Sequence, residues 1–300
     1  MQYGPYSIDI KKRGKVFFPE NNITKGDLID YYDKIADYLL PFLRDRPLTL
    51  SRFPDGINED GFYQKEAPDY FPDWIESIEV TKKEGGEIQQ VICNNKATLI
   101  YLVNQGTISF HPWLSTTTDL NRPNKLVFDL DPPQGNFDLV LEGAKFLRSL
   151  LEKQLGLNAF VMTTGSEGLH VLCPLRVKKG FDEIRSFARD VAEYMAREQP
   201  DTFTVATRKK KREGRLFVDY LRNAYGQTSI SPFSLRTLEG APVATPLDWG
   251  ELDRDNLTSQ SYHIKNTFRR LSQKDDSWDY FQQKAKGLGK SMDKLKTMLK

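Results

Sequence analysis

The chain has 300 residues, 39% hydrophobic and 28% charged, the balance of a folded globular protein rather than a disordered one. Lys and Arg number 43 against 41 Asp and Glu, so the net charge of +2 names no partner. No apolar run reaches 18 residues, the start lacks the apolar core of a secretory signal, and the two cysteines, Cys93 and Cys173, read as buried free thiols. No membrane span, secretory signal, disulfide staple or structural zinc is expected, and a reducing cytoplasm fits.

Thr24, with Asp27 three residues on, opens a helical pattern over 24–43 carried by Leu28, Tyr31, Tyr32, Ile35, Tyr38, Leu39 and Phe42. Pro41 is expected to kink or end it early. Residues 47–53 read as a strand. The stretch 54–74, rich in Pro, Gly and Asp with aromatics between, reads as an ordered functional loop. Strands follow at 76–81 and 88–93, a short helix at 98–105 and a strand at 107–115.

The pattern then changes. A strand at 124–131 leads to an amphipathic helix at 137–156 closed by Gly156. Strands at 158–164 and 169–175 are joined by a Gly-Ser-Glu-Gly link. A helix at 181–200 and strands at 202–207 and 215–221 complete the order β-α-β-β-α-β. That order predicts a ferredoxin-like or RNA-recognition-like sheet packed on helices, an α+β fold. One domain over 1–300 is expected: an N-terminal α/β layer over 1–120, a palm-type core over 121–275 and a basic terminal helix within 276–300. Leu288, Met292, Leu295 and Leu299 mark the apolar side of that helix. The basic runs at 208–215 and 284–300 fit either a polyanion contact or a solvated surface.

The stretch Val-Phe-Asp-Leu-Asp-Pro-Pro (127–133) concentrates the chemistry. Asp129 and Asp131, two apart on a strand, share a face, and Pro132 and Pro133 end the ladder there. Two neighbouring carboxylates repel unless a cation lies between them, and hard divalent ions are the usual answer. Asp219 ends another apolar run, which the expected topology can set beside the first. The alternative is acids facing water or pairing with Arg222. The link at 163–171 offers Thr163, Thr164, Gly165, Ser166 and Gly168, whose backbone and hydroxyls suit a phosphate, with His170 opening the next strand. Arg222 and Arg236 flank a polar strand-like stretch, and guanidinium forks suit phosphates.

Six segments carry a resemblance: RFPDGINEDGFYQKEAPDYFPDW, ISFHPWLS, LVFDLDPP, TTGSEGLHVLCPL, GRLFVDYLRN and APVATPLDW. In this order and at these spacings, over roughly 5–275, the sequence resembles the polymerase domain of bacterial ligase D, in the archaeo-eukaryotic primase superfamily. The resemblance implies a primase-polymerase palm and template-dependent nucleotidyl transfer that fills short gaps at DNA breaks, with ribo- or deoxynucleotides as substrates. It implies two divalent ions, Mn2+ or Mg2+, on Asp129, Asp131 and Asp219. It assigns His111, Thr164, Ser166, His170, Arg222 and Arg236 to the nucleotide. Lys15 and Lys25 are assigned to a 5′-phosphate, Phe62 and Tyr63 to stacking near the template base, and Lys65 to DNA. DNA with gaps, overhangs or double-strand breaks, a Ku-type protein and a DNA ligase are the implied partners, in a nucleoid-associated location.

One departure from the family's turn, Ser-Gly-Gly-Lys-Gly-Leu-His, is Glu167 in place of the lysine, which puts a nucleotide contact there in doubt. The sequence holds neither a ligase nor a phosphoesterase module, leaving a stand-alone polymerase and a domain of a longer chain both open. A primase that starts chains de novo and a catalytically silent DNA-end bridge are the rival readings. A glycosidase is disfavoured, since acids two apart on one strand do not span a cleft.

Overall fold

Thr24 caps a 19-residue helix, Lys25–Leu43. Its hydroxyl accepts the Asp27 N–H, and the Asp27 carboxylate accepts the Thr24 N–H, which satisfies two donors the helix would otherwise leave open. The helix runs through Pro41 to Leu43 rather than ending early. The ring removes one hydrogen bond in the last turn, and burial of Leu39, Leu40 and Leu43 holds that turn in place. This computed structural model describes residues 1–82, 84–176, 178–273 and 278–300. The chain divides into two units.

The first unit comprises Met1–Thr118, Thr228–Thr245 and Tyr262–Lys274. Its three-stranded antiparallel sheet has Leu48–Arg52 in the middle, flanked by Phe62–Gln64 and Thr107–Pro112. Part of the expected loop at 54–74 is therefore a strand. Ser77–Thr81 and Glu87–Val91 form a separate hairpin. The Lys25–Leu43 and Lys96–Asn104 helices pack together over a core that includes Phe17, Leu28, Tyr32, Leu99 and Phe110. Each such side chain contributes about 1.5–3 kcal/mol on burial. The later segment 228–245 joins this core through tyrosine hydroxyls. Tyr31 Oη donates to the Phe233 carbonyl at 2.8 Å, and Tyr32 Oη accepts the Leu235 N–H at 2.9 Å. The polar stretch between Arg222 and Arg236 is not a strand; it contributes isolated bridges, such as Trp113 with Thr228.

The second unit comprises Asp119–Gln227, Pro246–Ser261 and Asp275–Lys300. Residues 228–245 and 262–274 thus fall outside the core expected over 121–275, and the 275/276 boundary lies outside the described residues. Its six-stranded sheet runs Phe203–Thr204, Leu216–Asp219, Lys125–Asp131, Leu169–Pro174, Phe160–Thr163, Pro246–Leu247. The middle four strands pair antiparallel with one another in the ferredoxin-like order, while Phe203–Thr204 joins the edge in parallel to Leu216–Asp219. The helices Phe137–Ser149 and Phe181–Glu198 pack on the sheet. Gly143 lies so close to Leu216, Phe203 and Leu130 that a Cβ would stand 2.4 Å from Leu216. That contact fixes the Leu130 side of the central strand as the helix-covered face. The first helix continues as a π-helical turn, Leu150–Gln154, and the chain turns at Gly156 with φ of 75°. Helix Gly289–Met298 buries Leu295 as its spacing predicts. Cys93 and Cys173 are buried and free. Among the described residues no helix is long and apolar enough to cross a membrane.

Candidate active site

Leu130 faces the helices, so alternation sends Asp129 and Asp131 to the opposite face of the sheet. The register then builds a row. Asp129 pairs with Asp219 on one neighbouring strand and with His170 on the other, while Asp131 lies two residues further along. Directly opposed residues in antiparallel strands have Cβ atoms about 4.5–5.5 Å apart. Three carboxylates and an imidazole therefore share one patch of the second unit. Arg222 also reaches it: its Nε lies 3.6 Å from Asp129 Oδ2, while His170 Nε2 lies 3.3 Å from Asp129 Oδ1.

The electrostatics show strain between the acids. The Asp131 carboxyl is pushed up to about 6, first by burial and then by the charge of Asp129, with Glu167 and Asp219 adding and His170 opposing. Asp219 is also raised, first by burial; the Leu221 N–H, which donates to its Oδ1 at 2.6 Å, partly offsets this. All-oxygen donors crowded on one face have the chemistry of a hard divalent cation site. Among the described residues no three His, Cys, Asp or Glu side chains already converge as metal ligands. Asp129 instead lies beside His170 and Arg222. The donor set fits a divalent metal.

The turn 164–168 stands against this patch. A Cβ on Gly168 would sit 1.9 Å from the Leu130 carbonyl oxygen and 3.0 Å from Asp131 Oδ1, so only glycine lets the turn come this close. Thr164 is buried, and its hydroxyl accepts the Ser166 and Gly168 N–H groups at 3.2 Å each. Ser166 Oγ lies 3.0 Å from the same hydroxyl. Glu167 is exposed, yet near enough that its charge opposes ionisation of Asp131. Glu167 thus adds negative charge beside the carboxylates.

The remaining assigned residues lie in the first unit. His111 is on Thr107–Pro112, and its ring meets Tyr63 edge-on at 5.9 Å. Phe62 and Tyr63 are neighbours on a strand, so they point to opposite faces, and both are exposed. Lys65 follows them and is exposed. Arg236, half-buried, holds its backbone N–H to Pro242. Lys15 and Lys25 meet at the N-terminus of the first long helix. The Lys25 N–H donates to the Lys15 carbonyl at 2.8 Å, and the Lys25 ammonium is lowered first by burial and then by Lys15 and Lys12. Lys15 pairs with Asp55.

Sequence reasoning missed two supports. Arg52, buried, bonds Gln64, Tyr70 Oη at 2.9 Å and the Gln105 carbonyl, with its guanidinium 5.3 Å from the Phe62 ring centre. The only trace of this was an arginine ending the strand before an aromatic loop. Ser259 and Gln260 both bond the Ser166 carbonyl, and no local pattern marks a contact across more than 90 residues.

The sequence matches the family model described as LigD, primase-polymerase domain, over residues 24–278. It is 35% identical over 259 residues to the bifunctional non-homologous end joining protein LigD of Bacillus subtilis, covering 86% of this chain and 41% of that protein. It is 35% identical over 277 residues to the multifunctional non-homologous end joining protein LigD of Pseudomonas aeruginosa, covering 91% of this chain and 33% of that protein. The fold is similar to the polymerase domain of Mycobacterium tuberculosis ligase D in complex with DNA. That match has a TM-score of 0.87 at 28% identity and covers 93% of this chain and 99% of the other. The chain spans well under half the length of the two full-length relatives.

Proposed function

The chain belongs to the LigD primase-polymerase family and is a nucleotidyltransferase domain, and from that premise we propose that it fills short gaps at DNA breaks. It adds ribo- or deoxynucleotides to a primer 3′-hydroxyl opposite a template strand and releases pyrophosphate. The observation that carries this reading is the register that sets Asp129 opposite Asp219, with Asp131 on the same face. Two divalent ions, Mn2+ or Mg2+, held by Asp129, Asp131 and Asp219, would supply the Lewis acidity that activates the 3′-hydroxyl and offsets charge on the triphosphate.

The chain's own groups divide the rest of the work. Arg222 is exposed beside Asp129, so its guanidinium can turn to a phosphate once the carboxylate has another partner. His170, whose Nε2 lies 3.3 Å from Asp129 Oδ1, contacts the nucleotide beside that carboxylate. Thr164 and Ser166 shape the turn under the triphosphate, and His111 and Arg236 contact the nucleotide. Phe62 and Tyr63 stack on unpaired bases, a sequence-tolerant grip, and Lys65 meets the backbone. Lys15 and Lys25, at a helix N-terminus, take a 5′-phosphate across the gap. A Ku-type end-binding protein and a ligase are its working partners, and the work is done at the nucleoid in the cytoplasm.

The test is extension on a gapped duplex with a 5′-phosphate, compared with synthesis on unprimed single strands, each with ribo- and deoxynucleotides. Metal-dependent extension confined to the gap supports the reading. Efficient synthesis without a primer would favour de novo priming, and binding without synthesis would favour a DNA-end bridge.

A further inference from the structure

The Ser166 carbonyl accepts two bonds from a distant segment of the same unit. Ser259 Oγ donates at 2.6 Å and Gln260 Nε2 at 2.9 Å. Ser259 is buried and Gln260 exposed. Their segment is itself held, since the Thr258 N–H donates to Ser261 Oγ at 2.8 Å and the Ser261 N–H returns to the Thr258 carbonyl.

The consequence lies in the geometry of one peptide group. The Ser166 carbonyl and the Glu167 N–H belong to the same planar, trans unit, so they point in opposite directions. Fixing the carbonyl on Ser259 and Gln260 fixes the Glu167 N–H away from them. The turn is pinned elsewhere as well: Thr164 takes the Ser166 and Gly168 N–H groups, and Gly168 is pressed on Leu130 beside Asp131. Among the described residues, the Gly165 and Glu167 N–H groups have no protein acceptor. Gly165, with φ of 69°, provides the left-handed step that makes the turn.

We propose that Ser259 and Gln260 are positioning residues for nucleotide binding, aiming the Glu167 backbone N–H at a triphosphate oxygen. The inference rests on the nucleotidyl-transfer reading of the same site. It also gives position 167 a role through its backbone, one that tolerates an acidic side chain. Two net hydrogen bonds set the scale: losing both lowers nucleotide affinity about tenfold.

The experiment measures equilibrium binding of a fluorescent nucleoside triphosphate with Mn2+, alongside gap extension, for wild type and for Ser259→Ala, Gln260→Ala and the double variant. Gln260 is exposed, so Gln260→Ala keeps the fold even if Ser259→Ala does not. The expected result is nucleotide Kd and KM raised about tenfold in the double variant. The kcat at saturating nucleotide stays within twofold, gapped-duplex affinity is unchanged, and Ser259→Thr regains most of the loss. Unchanged nucleotide affinity, or equal losses in nucleotide and DNA affinity, would overturn the positioning role. Wild-type extension is read separately and reports on the function itself: a wild type that binds nucleotide but extends nothing contradicts that reading and leaves the positioning test intact. A wild type that binds no nucleotide overturns both.

Discussion

Asp129 and Asp219 stand directly opposite each other on paired antiparallel strands, with Asp131 on the same face two residues along. This arrangement costs the metal-free protein electrostatic energy at neutral pH. It also makes the patch receptive to a cation, so the consequences are measurable without DNA.

The first consequence is a pH dependence. Asp131 is raised in the folded state from 3.8 to about 6, so the folded form holds this proton more tightly than the unfolded form. Its contribution to stability is full below about pH 4 and lost as pH rises through about 6. In metal-free protein, Asp131→Asn should flatten the fall in Tm between those values. Protons and divalent ions compete for the same oxygens. The Tm gain on adding Mn2+ should therefore be large at pH 7.5 and small at pH 5. Glu167→Gln should shift that midpoint down, since its charge helps to hold the proton. A Mn2+ gain equal at both pH values would contradict this account.

Gly168 allows no side chain. Alanine there would place Cβ 1.9 Å from a backbone oxygen that cannot yield without moving the central strand. Gly168→Ala should cost about 2–4 kcal/mol of stability by chemical denaturation and remove nucleotide binding. Gly214→Ala meets no atom within 4 Å and separates this effect from general loop damage, though its own φ of 78° carries a smaller strain. Equal stability of Gly168→Ala and wild type would show that the turn does not press on Leu130.

Lys15 and Lys25 should read a phosphate rather than DNA in general. The Lys25 ammonium is lowered by burial and by Lys15, and the negative charge of a bound phosphate opposes that lowering. A gapped duplex with a 5′-phosphate should bind about tenfold more tightly than one with a 5′-hydroxyl. Lys15→Ala with Lys25→Ala should erase that difference while leaving the hydroxyl duplex nearly unaffected. Persistence of the preference in the double variant would rule these lysines out.

Much of the second unit was legible because its signals are local. The apolar run ending in Asp129, Asp131 and two prolines announced both the strand and its end, and the element order brought Asp219 alongside. Helix 25–43 was readable from its cap and spacing, while its passage through Pro41 depended on burial of Leu39, Leu40 and Leu43. What sequence could not show is long-range. Nothing in 228–245 reveals that Tyr31 and Tyr32, some 200 residues earlier, hold it in the first unit. Strand Phe62–Gln64 was hidden in a stretch whose prolines and aspartates signal loop. Ser259 and Gln260 lie in a polar turn, and only the fold carries them to the Ser166 carbonyl.

The most direct measurement of the central claim is single-turnover extension of a gapped, 5′-phosphorylated duplex, with and without Mn2+, by wild type and by Asp129→Asn, Asp131→Asn and Asp219→Asn. The account predicts that wild type extends only with a divalent ion. Each asparagine variant should lose at least about a thousandfold in rate while its metal-free affinity for the duplex stays within about threefold. Extension by any of the three variants within tenfold of wild type would contradict it.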